Sequence, residues 1–527
     1  MDRPFEVFPY NIDRLTHILS EKSGASIERV SDKIHTIYFQ EYFQNIKART
    51  ILIENDYIDR DYLEDFSAYY VRCFADYKRK CTRLHFFQNE FDHEDFDSLL
   101  GGTSKRLKSE LQSDYLGFIV VKPLPLTIIG RTCLKTYPTD GENNRNFPII
   151  RNYETNLFGL PLSIKSLAFQ EQDNVVAACA TSALWSVFHG TCILFQHNIL
   201  SPVEITRAAT KQLPIETRTF PNKGLSSEQM AHAIQSVNLE PLFVEIKNEE
   251  FALKSYIYAY LRFGIPILMG IDLYDVSSTK PKHIGHHAVA VTGYRMDAQP
   301  AKRYEENSLG LVSSNISKLY AHDDQVGPFA RMVFDDLKVT LTEGKKELIS
   351  MSTSWKFSGT EMGDIRAVPL ILMIPLYHKI RIPFETIYET VGSFDAIVET
   401  LKENVPTFPK VTLDWDIFLT TVNTFKKEIF SSGEYAGDHF KSILLKQMPR
   451  FMWRATALID GKLTIDLLFD ATDIEQGDFF IGAVEFDPNF CWILREIFKE
   501  SFFEKTLKSN PIWTIIEWFR ENNKVIH

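Results

Sequence analysis

The sequence predicts a mixed α+β protein of more than one domain, and three observations lead there. From Ile12 to about Leu111 the chain is polar, aromatic and largely free of Gly and Pro. Stretches such as DRDYLEDFSAYYVRCFADYKRK (59–80) space their apolar residues at helical intervals. The middle of the chain places helix-like text first and then a run of short strand candidates, and the remainder mixes both kinds. At 527 residues the chain is too long for one ordinary core, and one domain per roughly 150 residues suggests about three.

The N-terminal region is expected to be helical first and strand-rich afterwards. YLGFIVVKPLP (115–125) and TIIGRTCLKTY (127–137) bound β-branched and aromatic residues with Pro and Gly, and TDGENNRN (139–146) reads as a loop. A second block opens with strand-like LPLSIKSLAF (160–169), passes the Cys179 region and reaches LSSEQMAHAIQSVNL (225–239), where Ser226 or Ser227 can cap a helix. Strand candidates follow at 241–246, 265–274, 287–294, 317–323 and 330–336. Beyond about Thr340, ALIDGKLTIDLLFDAT (457–472) and PIWTIIEWFRENN (511–523) stand for strand-like and helix-like text, and no chemistry can be named there.

Composition narrows the function. The hydrophobic fraction of 44% and charged fraction of 24% are those of a folded globular chain. A net charge of −11 gives no overall attraction for phosphate backbones, so nucleic acid is not an expected partner. No run of about 18 uncharged apolar residues and no signal-type N-terminus is present, which sets membrane spanning and secretion aside. The six cysteines, Cys73, Cys81, Cys133, Cys179, Cys192 and Cys491, form no C-x-x-C pair. A reducing cytoplasm, in which a nucleophilic thiol stays free, is the expected setting.

Around Cys179 the text FQEQDNVVAACATSALWSVFHGTCILFQHNIL leads from polar residues into a stretch apolar on nearly all sides, a buried helix beginning near the cysteine. Unpaired N–H groups and the positive end of the helix dipole would stabilise a thiolate there. Downstream, Gly264-Ile265-Pro266 introduces a strand, a Lys- and His-containing loop follows, and then comes GHHAVAVTGY (285–294). Taken together and in this order, residues 157–340 resemble the papain-like cysteine peptidases, especially the branch of bacteriocin-leader peptidases.

The resemblance implies a papain-like core, a buried helix carrying the Cys packed on an antiparallel sheet carrying the His and Asp. It implies a domain at 157–340 between accessory regions at 1–156 and 341–527. By motif position Cys179 would be the nucleophile, His287 the general base, Asp323 the residue that orients the imidazole, and Gln172 an oxyanion donor. Ala180 replaces the glycine that commonly follows the nucleophile, and Gln172 stands one residue further from the cysteine than in papain, so Gln170 and Asn174 are substitutes. His286 is the alternative base. Strand alternation puts it on the opposite face from His287, and motif register favours His287. Asp324, Asp335, Asp336 and Asn315 are alternatives for the third member.

His283, His286, His287, His322, Asp323 and Asp324 also supply ligand types for zinc, but their spacing matches no recognised ligand set, and no metal or cofactor is expected. The expected function is cleavage of a peptide or isopeptide bond through a thioester acyl-enzyme, on a protein or peptide substrate and under a regulatory protein partner. Acyl transfer at the same site and a catalytically silent peptide-binding module are the alternatives.

Overall fold

A computed structural model describes residues 3–103, 105–139, 144–173, 175–176, 178–211, 224–304, 308–341, 346–357, 360–431, 438–474, 478–508, 510 and 512–521. The chain is mixed α+β, with several separate sheets. Its residues group into two compact units, one of Met1–Glu249, Gly264–Met296 and Ser317–Pro375, the other of Glu250–Phe263, Asp297–Ile316 and Leu376–His527.

This partition follows packing rather than chain order and cuts across the limits at 156/157 and 340/341 read from the sequence. The strand Ile365–Tyr377, beyond the second limit, hydrogen-bonds to Ile267–Asp275 in the first unit's largest sheet. The Pro, Gly and Asn clusters from which limits are read mark turns, and turns occur within units as well as between them.

The first unit opens with a five-stranded antiparallel sheet in chain order, Phe5–Pro9, Thr50–Tyr57, Cys81–Phe87, Tyr115–Val121 and Ile129–Leu134. Two of these strands, Thr50–Tyr57 and Cys81–Phe87, fall within the stretch expected to be mainly helical. Cys81–Phe87 is buried along its whole length, so it lacks the alternation that would have revealed it. The 59–80 stretch forms a helix only over Arg60–Ala68 and a short 3₁₀ turn at Tyr70–Arg72.

The second sheet of this unit positions the site. Six of its eight strands run in the order Ile267–Asp275, Lys282–Met296, Ile316–Asp323, Gly327–Val333, Met351–Ser352 and Ile365–Tyr377, and the last of these pairs with the first, so the six close a ring. The helix Cys179–Phe195 packs against Lys282–Met296. Every residue from Ala180 to Thr191 is buried, as expected for a helix apolar on nearly all sides. Leu184, Trp185, Val187 and Phe188 have no exposed surface and share a core with Leu268, Ala288 and Ala290 of the ring. Each such side chain contributes roughly 1.5–3 kcal/mol on burial.

The Gly-Ile-Pro segment locks the helix to the ring. Gly264 has φ +102°, a backbone conformation that side chains disfavour. A Cβ on Gly190 would stand 2.8 Å from Pro266 Cγ, so the helix approaches the proline only because residue 190 has no side chain.

The second unit holds a five-stranded sheet in the order Gly310–Leu311, Asp414–Thr421, Phe451–Ile459, Lys462–Asp470 and Phe480–Glu485. Its first pair is parallel and the rest antiparallel. The 457–472 stretch supplies the hairpin of this sheet, and Trp513–Glu521 is helical. A long helix, Phe384–Asn404, carries Asp395, which accepts a hydrogen bond from Trp415 Nε1 at 2.8 Å. No helix among the described residues is long and apolar enough to cross a membrane.

Candidate active site

Cys179 is the first residue of its helix and is half-buried. The N-cap, Ala178, has no side chain able to cap, and the first turn carries no acidic residue. The positive end of the helix dipole is therefore not offset by a carboxylate from its own first turn. The approach to the helix is organised by Asp173. Its Oδ1 accepts from Val175 N at 2.9 Å and Val176 N at 3.3 Å, while its Oδ2 accepts from Tyr70 Oη at 2.5 Å.

His287 lies on Lys282–Met296, the strand on which the helix packs, and its side chain is 6% exposed. The Cys179 thiol is near enough to the imidazole to help hold the His287 pKa up. Nε2 of the same ring is 2.9 Å from Asp323 Oδ1, which leaves Nδ1 as the nitrogen able to serve the thiol. Asp323 ends the adjacent strand Ile316–Asp323. Its Oδ1 also accepts from Gln325 N at 3.1 Å, and its Oδ2 accepts from Trp355 Nε1 at 2.6 Å. Trp355 presents its ring edge-on to His287, with centroids 5.3 Å apart and planes at 84°. Cys179, His287 and Asp323 are thus brought together in one unit by a helix start and two neighbouring strands.

The electrostatics follow from burial and pairing. Burial alone would lower the His287 pKa, but the Asp323 charge and the hydrogen bonds to Asp323 and Cys179 prevail and hold it well above the ordinary imidazole value. Burial would raise the Asp323 pKa, and the His287 charge with the hydrogen bonds from His287, Trp355 and Gln325 holds it below the usual carboxylate value instead. Asp324 is the counterexample. Its Oδ1 is 3.6 Å from His287 Nε2 and has no hydrogen-bond partner among the described residues, and burial pushes its pKa up to about 7.

The other residues considered from sequence lie elsewhere. His286 is on the opposite face of its strand, 80% exposed, with Nδ1 2.5 Å from Asp272 Oδ1. Asp335 pairs with Arg366, Asp336 is exposed, and Asn315 donates to Gln299 O at 2.6 Å from the start of the aspartate strand. His322 faces Ala168 O, 3.2 Å from its Nδ1, and burial pushes its pKa down to about 3. Gln172 is half-buried in the segment leading into the helix. Gln170 is buried, and its Nε2 has no hydrogen-bond partner among the described residues. Asn174 lies outside the described residues.

Trp355 is the site residue that sequence reasoning missed. It follows the expected end of the catalytic region at residue 340, in a stretch where no chemistry could be named. Its only signal is a tryptophan in the polar text STSWKFSG, and that does not identify a partner for Asp323.

The arrangement can transfer a proton from the thiol to the imidazole, stabilise the resulting imidazolium through a buried carboxylate, and present the sulfur at a helix start to an incoming carbonyl. A scan against protein-family models and a search of curated proteins return no match to this chain.

Proposed function

We propose that the chain is a papain-like thiol hydrolase that cleaves a peptide or isopeptide bond through a thioester acyl-enzyme. One observation carries this reading: a half-buried thiol at the start of a helix stands beside a buried imidazole whose Nε2 is held, at 2.9 Å, by a buried carboxylate. A histidine and an aspartate buried merely for packing have no reason to face a cysteine at a helix start.

In the proposed reaction His287 takes the Cys179 proton and the thiolate attacks the carbonyl carbon. The oxygen gains the electron pair of the broken π bond and is received by preorganised donors, with the Cys179 backbone N–H and the Gln172 amide as candidates and Gln170 as the substitute. The leaving amine departs with the proton held by His287. Water then gives a proton to His287, attacks the thioester and releases the acid, which regenerates the thiol. The raised His287 pKa suits the imidazole to take and hold the thiol proton, and Asp323 fixes the imidazole orientation.

The helix packed on antiparallel strands that carry His287 and Asp323 is the arrangement a papain-like core requires, and this supports the finer fold reading. The substrate is a protein or peptide.

The test is covalent labelling and turnover. An acyl- or vinyl-type thiol probe is expected to label wild-type protein at Cys179, identified by peptide mass, and Cys179→Ala is expected to abolish both labelling and hydrolysis of a peptide library with its melting temperature retained. Full activity in the alanine variant would sink the proposal.

A further inference from the structure

We propose that Asp272, His283 and His286 form a binding site for a divalent transition-metal ion, Zn²⁺ by ligand chemistry, on the face of the hairpin opposite His287. The three side chains can each present one ligand atom, and these atoms lie within 4.8 Å of one another. Asp272 Oδ1 is 3.4 Å from His283 Nε2 and 2.5 Å from His286 Nδ1.

Two ligand atoms each about 2.0–2.1 Å from a tetrahedral zinc stand about 3.3 Å apart. The Asp272–His283 separation already has that value, and the His286 ring, 80% exposed and free of packing on most of its surface, has to withdraw by less than about 1 Å. Two imidazoles and one carboxylate are a ligand set suited to zinc and leave a fourth position for water.

The convergence is built into the backbone. Residues 283 and 286 are three apart, so in a regular strand they would point to opposite faces. The pairing of the hairpin shifts register here: Leu273 is opposite Gly285 and Tyr274 opposite His283, which leaves Ile284 as an extra residue. This bulge turns His283 to the face of His286. Asp272, whose Cα pairs with His286, and Tyr274, opposite His283, lie on the same face of the partner strand. The His283 and His286 rings meet edge to face, with centroids 5.2 Å apart. Without the bulge the same three residues would not share a face.

The test uses the full chain in a buffer that does not chelate, titrated with ZnCl₂ at pH 7.5 by calorimetry, with thermal melts in parallel. The expected result is saturable zinc binding and a rise in melting temperature. His283→Ala and His286→Ala each weaken that binding at least about tenfold and remove the temperature rise. Cys179→Ala retains both effects, which separates this site from any capture of zinc by the thiol. Both histidines are exposed, with side chains at 40% and 80%, so the zinc-free melts of their variants should match the wild type and serve as the folding control. No saturable binding to the wild type would overturn the proposal. So would zinc binding that is equally tight in both histidine variants, or that disappears in Cys179→Ala.

Discussion

Two neighbouring histidines on one strand, each facing an aspartate, show how far environment decides chemistry. His287 and Asp323 have side chains 6% and 8% exposed, whereas the His286 side chain is 80% exposed beside Asp272 at 16%. In the buried pair the carboxylate is held by two donors besides the imidazole, Gln325 N on Oδ1 and Trp355 Nε1 on Oδ2. In the exposed pair water screens the interaction, and the His286 ring can turn. Burial makes the first pair suited to holding a proton in a fixed place. Exposure leaves the second free to bind a ligand from solution.

The largest expected effect tests that contrast directly. His287→Ala should lower kcat/KM at least about 10³-fold more than His286→Ala does, assayed without zinc on a substrate found with the labelling screen. Equal losses in the two variants would break the comparison. Asp323→Ala should cost on the order of 10²–10⁴-fold in kcat, because the imidazole loses the partner that orients it and stabilises its charge.

The oxyanion role should give a somewhat smaller loss. Gln172→Ala is expected to reduce kcat by roughly 10²–10³-fold, with a lesser loss for Gln170→Ala, as measured by steady-state kinetics. The reverse ranking would move the role to Gln170, whose buried Nε2 is without a partner among the described residues. Trp355→Phe keeps the ring beside His287 but removes the donor to Asp323. Chemical denaturation should show a loss of about 1.5–3 kcal/mol, the value of a hydrogen bond to a charged group.

The smallest effect is on stability against pH, and its sign follows from the three buried groups. His287 is held above its ordinary value, so its contribution is full below about pH 6.5 and is lost as pH rises through its folded pKa. Asp323 is held below its ordinary value, so its contribution is full above about pH 4 and is lost as pH falls. Asp324, pushed up to about 7, destabilises the fold as pH rises from about 4 toward 7. Together these groups make stability greatest near about pH 4, falling toward pH 7 through Asp324 and further as pH rises through the folded His287 pKa. Melting temperatures from pH 5 to 9 should show that decline, and Asp324→Asn should flatten it. The exposed His286–Asp272 pair should leave the profile nearly unmoved when His286 is replaced.

Much of the site could be read because its parts are local patterns. A helix apolar on nearly all sides, the Gly264-Ile265-Pro266 turn and the HAVAVTGY strand each declare themselves within about ten residues, and alternation alone separates the faces of His286 and His287. Other features are not local. Cys81–Phe87 is buried throughout and shows no alternation. Trp355 reaches Asp323 across 32 residues, and the Ile365–Tyr377 strand closes the ring from beyond the expected domain limit.

By itself, then, the sequence determined the mixed α+β character, the thiol helix and the identity of the residues able to do chemistry, because short-range periodicity and residue type are properties of the chain. The tertiary structure decided which acid meets His287, what covers that pair, how the packing units divide, and that a bulge at Ile284 gathers His283, His286 and Asp272 on one face. Register, ring closure and burial are set by which distant segments pack together, and no local pattern encodes that choice.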